Sequence, residues 1–332
     1  MRIDVSCRLA LSVLLLAAGA GVAAAQSKST ADTPGYSGAT HHQLIGPGLP
    51  DPLLVQAQSL VESGKLADAE HIARSYVSGH PESADGHFLL GYILFREANA
   101  RASLAEYTAG ARYRTPTALD LEVVACDYVL LKDYLDADKW FTKTVEWSPK
   151  DVLAWYYLGR TKYNENRFDE AIAAFLTCLK LDPKNVKAED NLGLSYAGAG
   201  RVADAEAAYK NAIAWQADMP DKNSGPFLDL GILLADNDRP REALPYLQQA
   251  VQISPLDAQA HTQLGKAYLR LNQIDKTQAE FEKAVQLSPN DAPLRFMLGQ
   301  VYRRQGLKDK AKQELDRYAA LNAARPSSDA GK

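Results

Sequence analysis

The segment WYYLGRTKYNENRFDEAIAAFLTCLKLDP, from Trp155 to Pro183, carries a spacing of residue types that recurs along the chain. Trp155, Leu158 and Gly159 fall at i, i+3 and i+4, which places them on one face of a helix, and the glycine lets a second helix approach closely. Polar residues then form a turn, and a second apolar stripe follows before Pro183, which cannot continue a helix. The segment therefore predicts a helical hairpin that ends at the proline.

The same spacing repeats at a fixed period over most of the chain. Counted from the small residue of each Leu-Gly pair, the copies start near residues 50, 84, 118, 152, 186, 224, 258 and 292. One step is longer than the others, because the stretch WQADMPDKNSGPF adds residues between the fifth and sixth copies. A neutral insertion is one interpretation of this stretch. The alternative is a hinge or a partner-contacting loop that divides the array into five repeats and three.

This pattern resembles the tetratricopeptide repeat family, over about Pro50 to Arg325. The family's W-x2-L-G-x2-Y, A-x3-F and closing P correspond here to Trp155, Leu158-Gly159, Ala171, Phe175 and Pro183. The resemblance implies an all-α fold, a right-handed superhelical solenoid of about eight hairpins. Each hairpin of such an array buries its apolar face against its neighbours.

The N-terminal residues have the features of a secretory signal peptide. Arg2 and Arg8 precede an apolar run, and three alanines end at Ala25 before Gln26. We therefore predict a signal peptide over 1–25, cleaved near Ala25, and a secreted or periplasmic location; an uncleaved membrane anchor is the alternative. Residues 26–49 predict a flexible polar leader, in which the adjacent histidines 41 and 42 are linker, and residues 326–332 predict a polar tail.

Composition narrows the classes of function. The chain has 37 Lys+Arg and 41 Asp+Glu, a net charge of −4, which disfavours nucleic acid as a partner. After signal cleavage no stretch reaches the roughly 20 apolar residues of a transmembrane helix. Cys126 and Cys178 sit on different surfaces of different predicted hairpins, so we expect two free, packed thiols, with a disulfide as the alternative.

The resemblance implies a concave groove, formed by the first helix of each repeat, that binds extended peptides or helices. The predicted groove residues are Phe88, Tyr92, Phe95, Arg96, Tyr156, Arg160, Tyr163, Asn191, Lys266, Arg270, Arg303 and Arg304. Aromatic residues with arginine dominate the N-terminal half, the third copy is mostly apolar, and the C-terminal end is basic. Packing against a neighbouring repeat is the alternative for Phe88 and Tyr163, and a solvated face is the alternative for the C-terminal arginines. A partner with an apolar or aromatic segment followed by an acidic one would match this order.

The sequence contains no Gly-rich phosphate loop, no Ser-His-Asp arrangement and no Cys/His metal spacing. His87 and His261 occupy the position of Trp155 in their copies, so we expect packing roles for both. We predict a non-enzymatic protein-interaction scaffold without cofactor or metal, within a cell-envelope or secretion assembly. The alternative is an envelope glycan-binding or polysaccharide-export accessory module that uses the groove aromatics.

Overall fold

The computed structural model describes residues 51–324, which form sixteen α-helices and no strand. The predicted signal peptide, leader and polar tail lie outside these residues. The helices are α1 (Pro52–Glu62), α2 (Leu66–Gly79), α3 (Ala84–Arg96), α4 (Ala100–Gly110), α5 (Ala118–Leu130), α6 (Tyr134–Trp147), α7 (Val152–Asn164), α8 (Phe168–Leu181), α9 (Val186–Gly198), α10 (Val202–Trp215), α11 (Gly225–Asp236), α12 (Pro240–Ile253), α13 (Ala258–Arg270), α14 (Ile274–Leu287), α15 (Ala292–Arg304) and α16 (Lys308–Ala323).

Consecutive helices pair into eight hairpins, and each hairpin packs against the next. The first helices of six hairpins begin at the residue from which the repeat was counted in the sequence, and those of the other two begin within two residues of it. The all-α solenoid of helical hairpins that the period predicts is therefore confirmed for the described residues.

Close approach within a hairpin depends on the glycine of the Leu-Gly pair. A Cβ atom on Gly159 would lie 2.8 Å from the ring of Phe175, and one on Gly193 would lie 2.6 Å from the ring of Tyr209. Both rings are fully buried and come from the second helix of the same hairpin. Aromatic residues thus occupy the space that the missing side chain leaves, which explains the spacing of glycine and aromatic residue in the sequence.

Neighbouring hairpins are joined by a polar contact at the position of Trp155. Trp155 Nε1 donates to the carbonyl oxygen of Pro149, which ends the preceding repeat, at 3.0 Å. His87, His261 and Arg295 hold the same position in their repeats and reach the carbonyl oxygens of Pro81, Pro255 and Pro289, at 3.0, 3.1 and 2.7 Å. We call this the proline-carbonyl contact. It gives the closing proline a second role beyond ending the helix.

The two histidines and Arg295 each make a further contact with a glutamate of the second helix. His87 Nδ1 lies 2.6 Å from Glu106, and His261 Nδ1 lies 2.7 Å from Glu280. Arg295 pairs with Glu314 at 2.5 Å. Both histidines are buried. They lie in the packing positions expected from the sequence.

The stretch between α10 and α11, residues 216–224, holds the inserted residues. Gln216 is buried, its side-chain amide donates to the Asn223 carbonyl at 3.0 Å, and its Oε1 accepts from the Asn223 backbone N–H at 2.6 Å. The Asn223 side chain in turn accepts from the N–H of Gly225 at 2.9 Å. These bonds close the stretch into a defined loop and lead the chain into α11.

Candidate partner-binding groove

Two tyrosine–arginine pairs lie on the first helices α3 and α7. Arg96 lies over the ring of Tyr92, 5.9 Å from its centroid, and donates to the Tyr92 hydroxyl at 3.3 Å. Arg160 lies 5.8 Å from the ring centroid of Tyr156. Each arginine follows its tyrosine by four residues, which brings the two side chains together on one helix face. The structure therefore joins four of the predicted groove residues into two cation–π pairs.

Tyr156 also connects the fourth repeat to the fifth. Asn191 Nδ2 donates to the Tyr156 hydroxyl at 3.4 Å, and the Tyr156 ring contacts the rings of Tyr157 and Phe175 edge-on, with centroids 5.4 and 6.0 Å apart. Tyr156 is 8% exposed, whereas Arg160 and Asn191 are half-buried. Tyr156 is thus mainly a packing residue at the junction between these two repeats.

The aromatic residues of the second repeat are more deeply buried than the sequence interpretation assumed. Phe88 is 1% exposed, packs against Tyr107 at 5.7 Å between ring centroids, and is covered by Arg114 at 4.6 Å. The packing alternative holds for Phe88, and its expected place on an accessible surface is corrected. Tyr92 and Phe95 are also buried. Of the groove residues predicted in this repeat, Arg96 is the one with an exposed side chain.

Tyr163 and the basic residues are more accessible. Tyr163 is half-buried and meets Phe168 edge-on at 5.6 Å, and Lys266 is half-buried. Arg270 is exposed but bonds to the Ala235 carbonyl and to Asp236, the latter at 3.3 Å, so it is held against the preceding repeat. Arg303 and Arg304 are exposed at the end of α15. Their role in binding stays a prediction.

A pair of carboxyl groups replaces the Tyr156–Asn191 contact at the next repeat junction. Asp190 and Asp229 take the places of Tyr156 and Asn191 one repeat further along, and we call them the acidic pair. Asp190 is buried with its Oδ1 unbonded, and its Oδ2 would lie 2.9 Å from a Cβ atom on Gly225. Gly225 and Asp229 are four residues apart and so share a face of α11. Burial, with the neighbouring carboxyl, raises the pKa of Asp190, and burial raises the pKa of Asp229 to about 7.

The third repeat also differs from its expected apolar profile. Glu122 occupies the place of Tyr156, is buried, and has an unbonded Oε1. Burial raises its pKa to about 8, with a smaller contribution from Asp151. A count of one repeat back from Tyr156 would have found Glu122, because the period there is regular. The start of the sixth copy at 224 would likewise have placed Asp229 opposite Asp190, since Asp229 and Asn191 are the same number of residues from the starts of their copies.

The described residues show few features of a chemical site. Cys126 and Cys178 are free and buried, as predicted, and burial raises the pKa of both thiols, that of Cys178 to about 12. Across residues 51–324 no group of His, Cys, Asp and Glu side chains is arranged to hold a metal ion. No helix in this range has both the length and the apolarity needed to cross a membrane.

Relatives of known name match only part of this chain. The peroxisomal targeting signal receptor of Komagataella phaffii is 33% identical over 147 residues, 41% of this chain and 24% of that protein. Protein O-mannosyl-transferase TMTC3 of Mus musculus is 25% identical over 154 residues, 43% of this chain and 17% of that protein. The chain thus spans about a quarter or less of the length of these relatives.

Two solved structures share the fold at low sequence identity. A tetratricopeptide repeat protein from Parabacteroides merdae is 19% identical with a TM-score of 0.61, over 75% of this chain and 97% of that one. The Cut9–Hcn1 hetero-tetramer of APC/C is 20% identical with a TM-score of 0.56, over 82% of this chain and 53% of that one. Family models described as tetratricopeptide repeat match residues 54–118, 152–185, 228–292 and 276–328, together more than half of the chain. The chain therefore belongs to the tetratricopeptide repeat family.

Proposed function

We propose that this protein is a non-enzymatic scaffold that binds an extended peptide or a helix of a partner protein along the first helices of its repeats. The observation that carries the proposal is the placement of Arg96 and Arg160 over the rings of Tyr92 and Tyr156. A guanidinium held against a ring can donate to the backbone carbonyls of a partner segment at little cost in side-chain entropy. Tetratricopeptide repeats are protein-interaction modules and are typically non-catalytic.

The partner segment we propose is apolar or aromatic at one end and acidic at the other. The apolar part would lie along the N-terminal repeats, where the tyrosine–arginine pairs are. The acidic part would meet Lys266, Arg303 and Arg304 near the C-terminal end, of which the two arginines are exposed. Among relatives, the match to a peroxisomal targeting signal receptor supports a peptide as the ligand, over the 41% of this chain that it covers.

The location we propose is outside the cytoplasm, in a cell-envelope or secretion assembly. The support is the composition of residues 1–25, with basic residues, an apolar run and small residues before Gln26. The N-terminal residue of the protein isolated from its source, determined by mass spectrometry, tests this part on its own. A chain that begins near Gln26 is expected, and a chain that begins at Met1 would contradict it.

The binding test compares the full chain with two double variants. Arg96→Ala with Arg160→Ala removes both guanidinium groups and leaves the buried tyrosines in place. Arg101→Ala with Arg112→Ala removes two exposed arginines in or next to the second helix α4 and serves as the control. Each protein is immobilised and exposed to an envelope extract, and retained proteins are identified by mass spectrometry.

A protein retained by the wild type and the control, and reduced at least about tenfold by the Arg96/Arg160 variant, is the expected result; a loss of about 1.4 kcal/mol in binding corresponds to this factor. Equal retention by all three proteins would move the binding site away from the tyrosine–arginine pairs. Retention of oligosaccharide alone would favour the glycan-binding alternative.

A further inference from the structure

The first helix of the array exposes an apolar residue that interior repeats bury. Leu53 stands where His87, Trp155 and His261 stand in their repeats, at the position of the proline-carbonyl contact. Leu53 is 47% exposed, whereas both histidines are buried. Val55, two residues on, is exposed as well and stands at the place of Tyr157, whose ring stacks on Phe141 of the preceding repeat at 5.8 Å. The exposed side of α1 is therefore the side that elsewhere contacts a preceding repeat.

The last hairpin exposes the complementary side. Phe296 stands where Tyr156 and Phe88 stand in their repeats, and it is 41% exposed where those two are buried. Its ring meets that of Tyr318 on α16 with centroids 5.2 Å apart. The two rings open into a cavity of about 390 Å³ whose other lining residues are Pro293, Met297 and Asn322. Interior residues at the place of Phe296 contact the following repeat, as Tyr156 does through Asn191.

We propose that a second copy of this chain occupies this cavity, with its α1 docked on α15 and α16 of the first copy as a ninth repeat would be. Leu53 of the incoming copy would lie over the end of α16, near Asn322. That is the place where Trp155 meets Pro149 within the array. Val55 would meet Leu315, which holds the place of Phe141 in its repeat.

Continuity with the interior junctions is the first argument for this occupant. Each interior junction buries the same two surfaces in the same register, one on the first helix of a repeat and one on the hairpin before it. The first hairpin exposes one of these two surfaces, and the last hairpin exposes the other. An unrelated partner would have to match each end separately. A second copy of the chain already carries a surface of the required shape.

Charge is the second argument, because the two end hairpins have opposite sign. The last hairpin, residues 292–324, carries seven Lys and Arg against three Asp and Glu, a net charge of +4. The first hairpin, residues 51–79, carries two Lys and Arg against four Asp and Glu, a net charge of −2. Opposite charge on the two surfaces favours docking of one end on the other and disfavours pairing of like ends.

A head-to-tail contact uses different patches on the two partners and leaves one free end of each kind, so it can propagate. It does not involve the tyrosine–arginine pairs of α3 and α7, which lie in interior repeats. The inference therefore goes beyond the proposed function and does not depend on it: arrays joined in this way would present several copies of the groove along one assembly.

The test uses full-length chains and three single variants. Leu53→Glu blocks the first end, Phe296→Glu blocks the last end, and Leu256→Glu changes an exposed leucine in the loop between α12 and α13 as a matched control. Sedimentation velocity over a range of concentrations gives the mass of each protein and of a one-to-one mixture of the two end variants, and circular dichroism confirms the helix content of each.

The wild type and Leu256→Glu are expected to form species larger than the 36.3 kDa monomer as concentration rises. Each end variant alone is expected to lose these species, and the mixture is expected to give a species of twice the monomer mass and nothing larger, because it contains one intact end of each kind. Three outcomes would overturn the inference: a monomeric wild type, end variants that associate as the wild type does, or loss of association in only one of the two end variants.

Discussion

The junction between the fourth and fifth repeats and the junction between the fifth and sixth differ in linker and in chemistry. At the first, residues 182–185 connect α8 to α9, and Asn191 donates to the Tyr156 hydroxyl. At the second, residues 216–224 connect α10 to α11, and the acidic pair stands in the same register. A neutral donor and acceptor meet at one junction, and two carboxyl groups stand at the next.

The difference shows which parts of the repeat the fold requires. Both junctions keep a close contact between the glycine and a large side chain of the second helix, Tyr209 against Gly193 and Leu247 against Gly231. At the second junction Phe227 holds the position of Trp155, but Asp221 stands where the closing proline stands in other repeats. The hydrogen bonds of Gln216 close the loop at this junction. Small residues and loop closure therefore hold the stack, while the side chains between first helices are free to vary.

The largest effect is expected from Tyr156→Ala, which removes the ring that fills the first junction. Tyr156 is buried and contacts Tyr157 and Phe175, so its truncation leaves a cavity and should lower the free energy of unfolding by about 3 kcal/mol. Urea unfolding followed by circular dichroism measures the change. Arg160→Ala, one turn away and half-buried, should change it by less than about 0.5 kcal/mol.

An equal, small loss for Tyr156→Ala and Arg160→Ala would mean that Tyr156 belongs to the groove surface and not to the core. This comparison also decides how binding tests are designed. A variant at Tyr156 would confuse loss of packing with loss of partner contact, whereas variants at Arg96 and Arg160 separate the two.

Asp229→Asn tests the second junction and should stabilise the protein at neutral and higher pH. The pKa of Asp229 is about 7 in the folded chain and about 4 in an unfolded one, so the folded state binds more protons between these values. Stability therefore falls as pH rises from about 4 to about 7, and the full penalty is present above about 7. Asn removes the charge, and because Asp229 is only half-buried, solvent screening reduces the gain in the free energy of unfolding at pH 8 to about 2 kcal/mol, roughly half of what the pKa shift alone would give.

Close to pH 4, the same substitution should change little, because the carboxyl group is then protonated in the folded state. The measurement is the difference between wild type and variant in urea unfolding at pH 4 and pH 8. Asp190, Glu122 and Asp127 also have raised pKa values and contribute to the pH dependence of both proteins. Subtracting the free energy of unfolding of the wild type from that of the variant at each pH removes this shared contribution. A difference that is the same at both pH values would show that the charge of Asp229 is not what distinguishes the second junction.

Gln216→Ala should have an intermediate effect, confined to the second junction. It removes the two hydrogen bonds that the buried Gln216 side chain makes to the backbone of the exposed Asn223, which should cost about 1 to 2 kcal/mol. Hydrogen exchange should show faster exchange in residues 216–224 and at the start of α11. Lys222→Ala, an exposed change in the same loop, is the control. Equal exchange in both variants would indicate that the loop is not held by Gln216.

The sequence predicted the hairpins closely and the groove only in part. Repeat boundaries, the Gly159–Phe175 contact and the packing of His87 follow from a period that each copy must keep for the stack to form. Burial of Tyr156 did not follow, and burial of Phe88 was left as an alternative, because a stripe rotated by about 100° from the core lies at the edge of the area that the next repeat covers. The extent of the area that the next repeat buries depends on how the hairpins stack. The sequence of a single copy does not give this stacking geometry.

Tyr156→Phe is expected to have the smallest effect and sharpens the comparison of the two junctions. It keeps the ring and removes only the hydroxyl that accepts from Asn191 at 3.4 Å, a long bond that should contribute about 0.5 kcal/mol. A double-mutant cycle with Asn191→Ala isolates the coupling of the two side chains, which should be favourable and of this size. The corresponding cycle of Asp190→Asn and Asp229→Asn at pH 8 should give coupling of the opposite sign, because either substitution alone already relieves the repulsion. Coupling of the same sign at both junctions would mean that the two carboxyl groups share a proton in a favourable hydrogen bond.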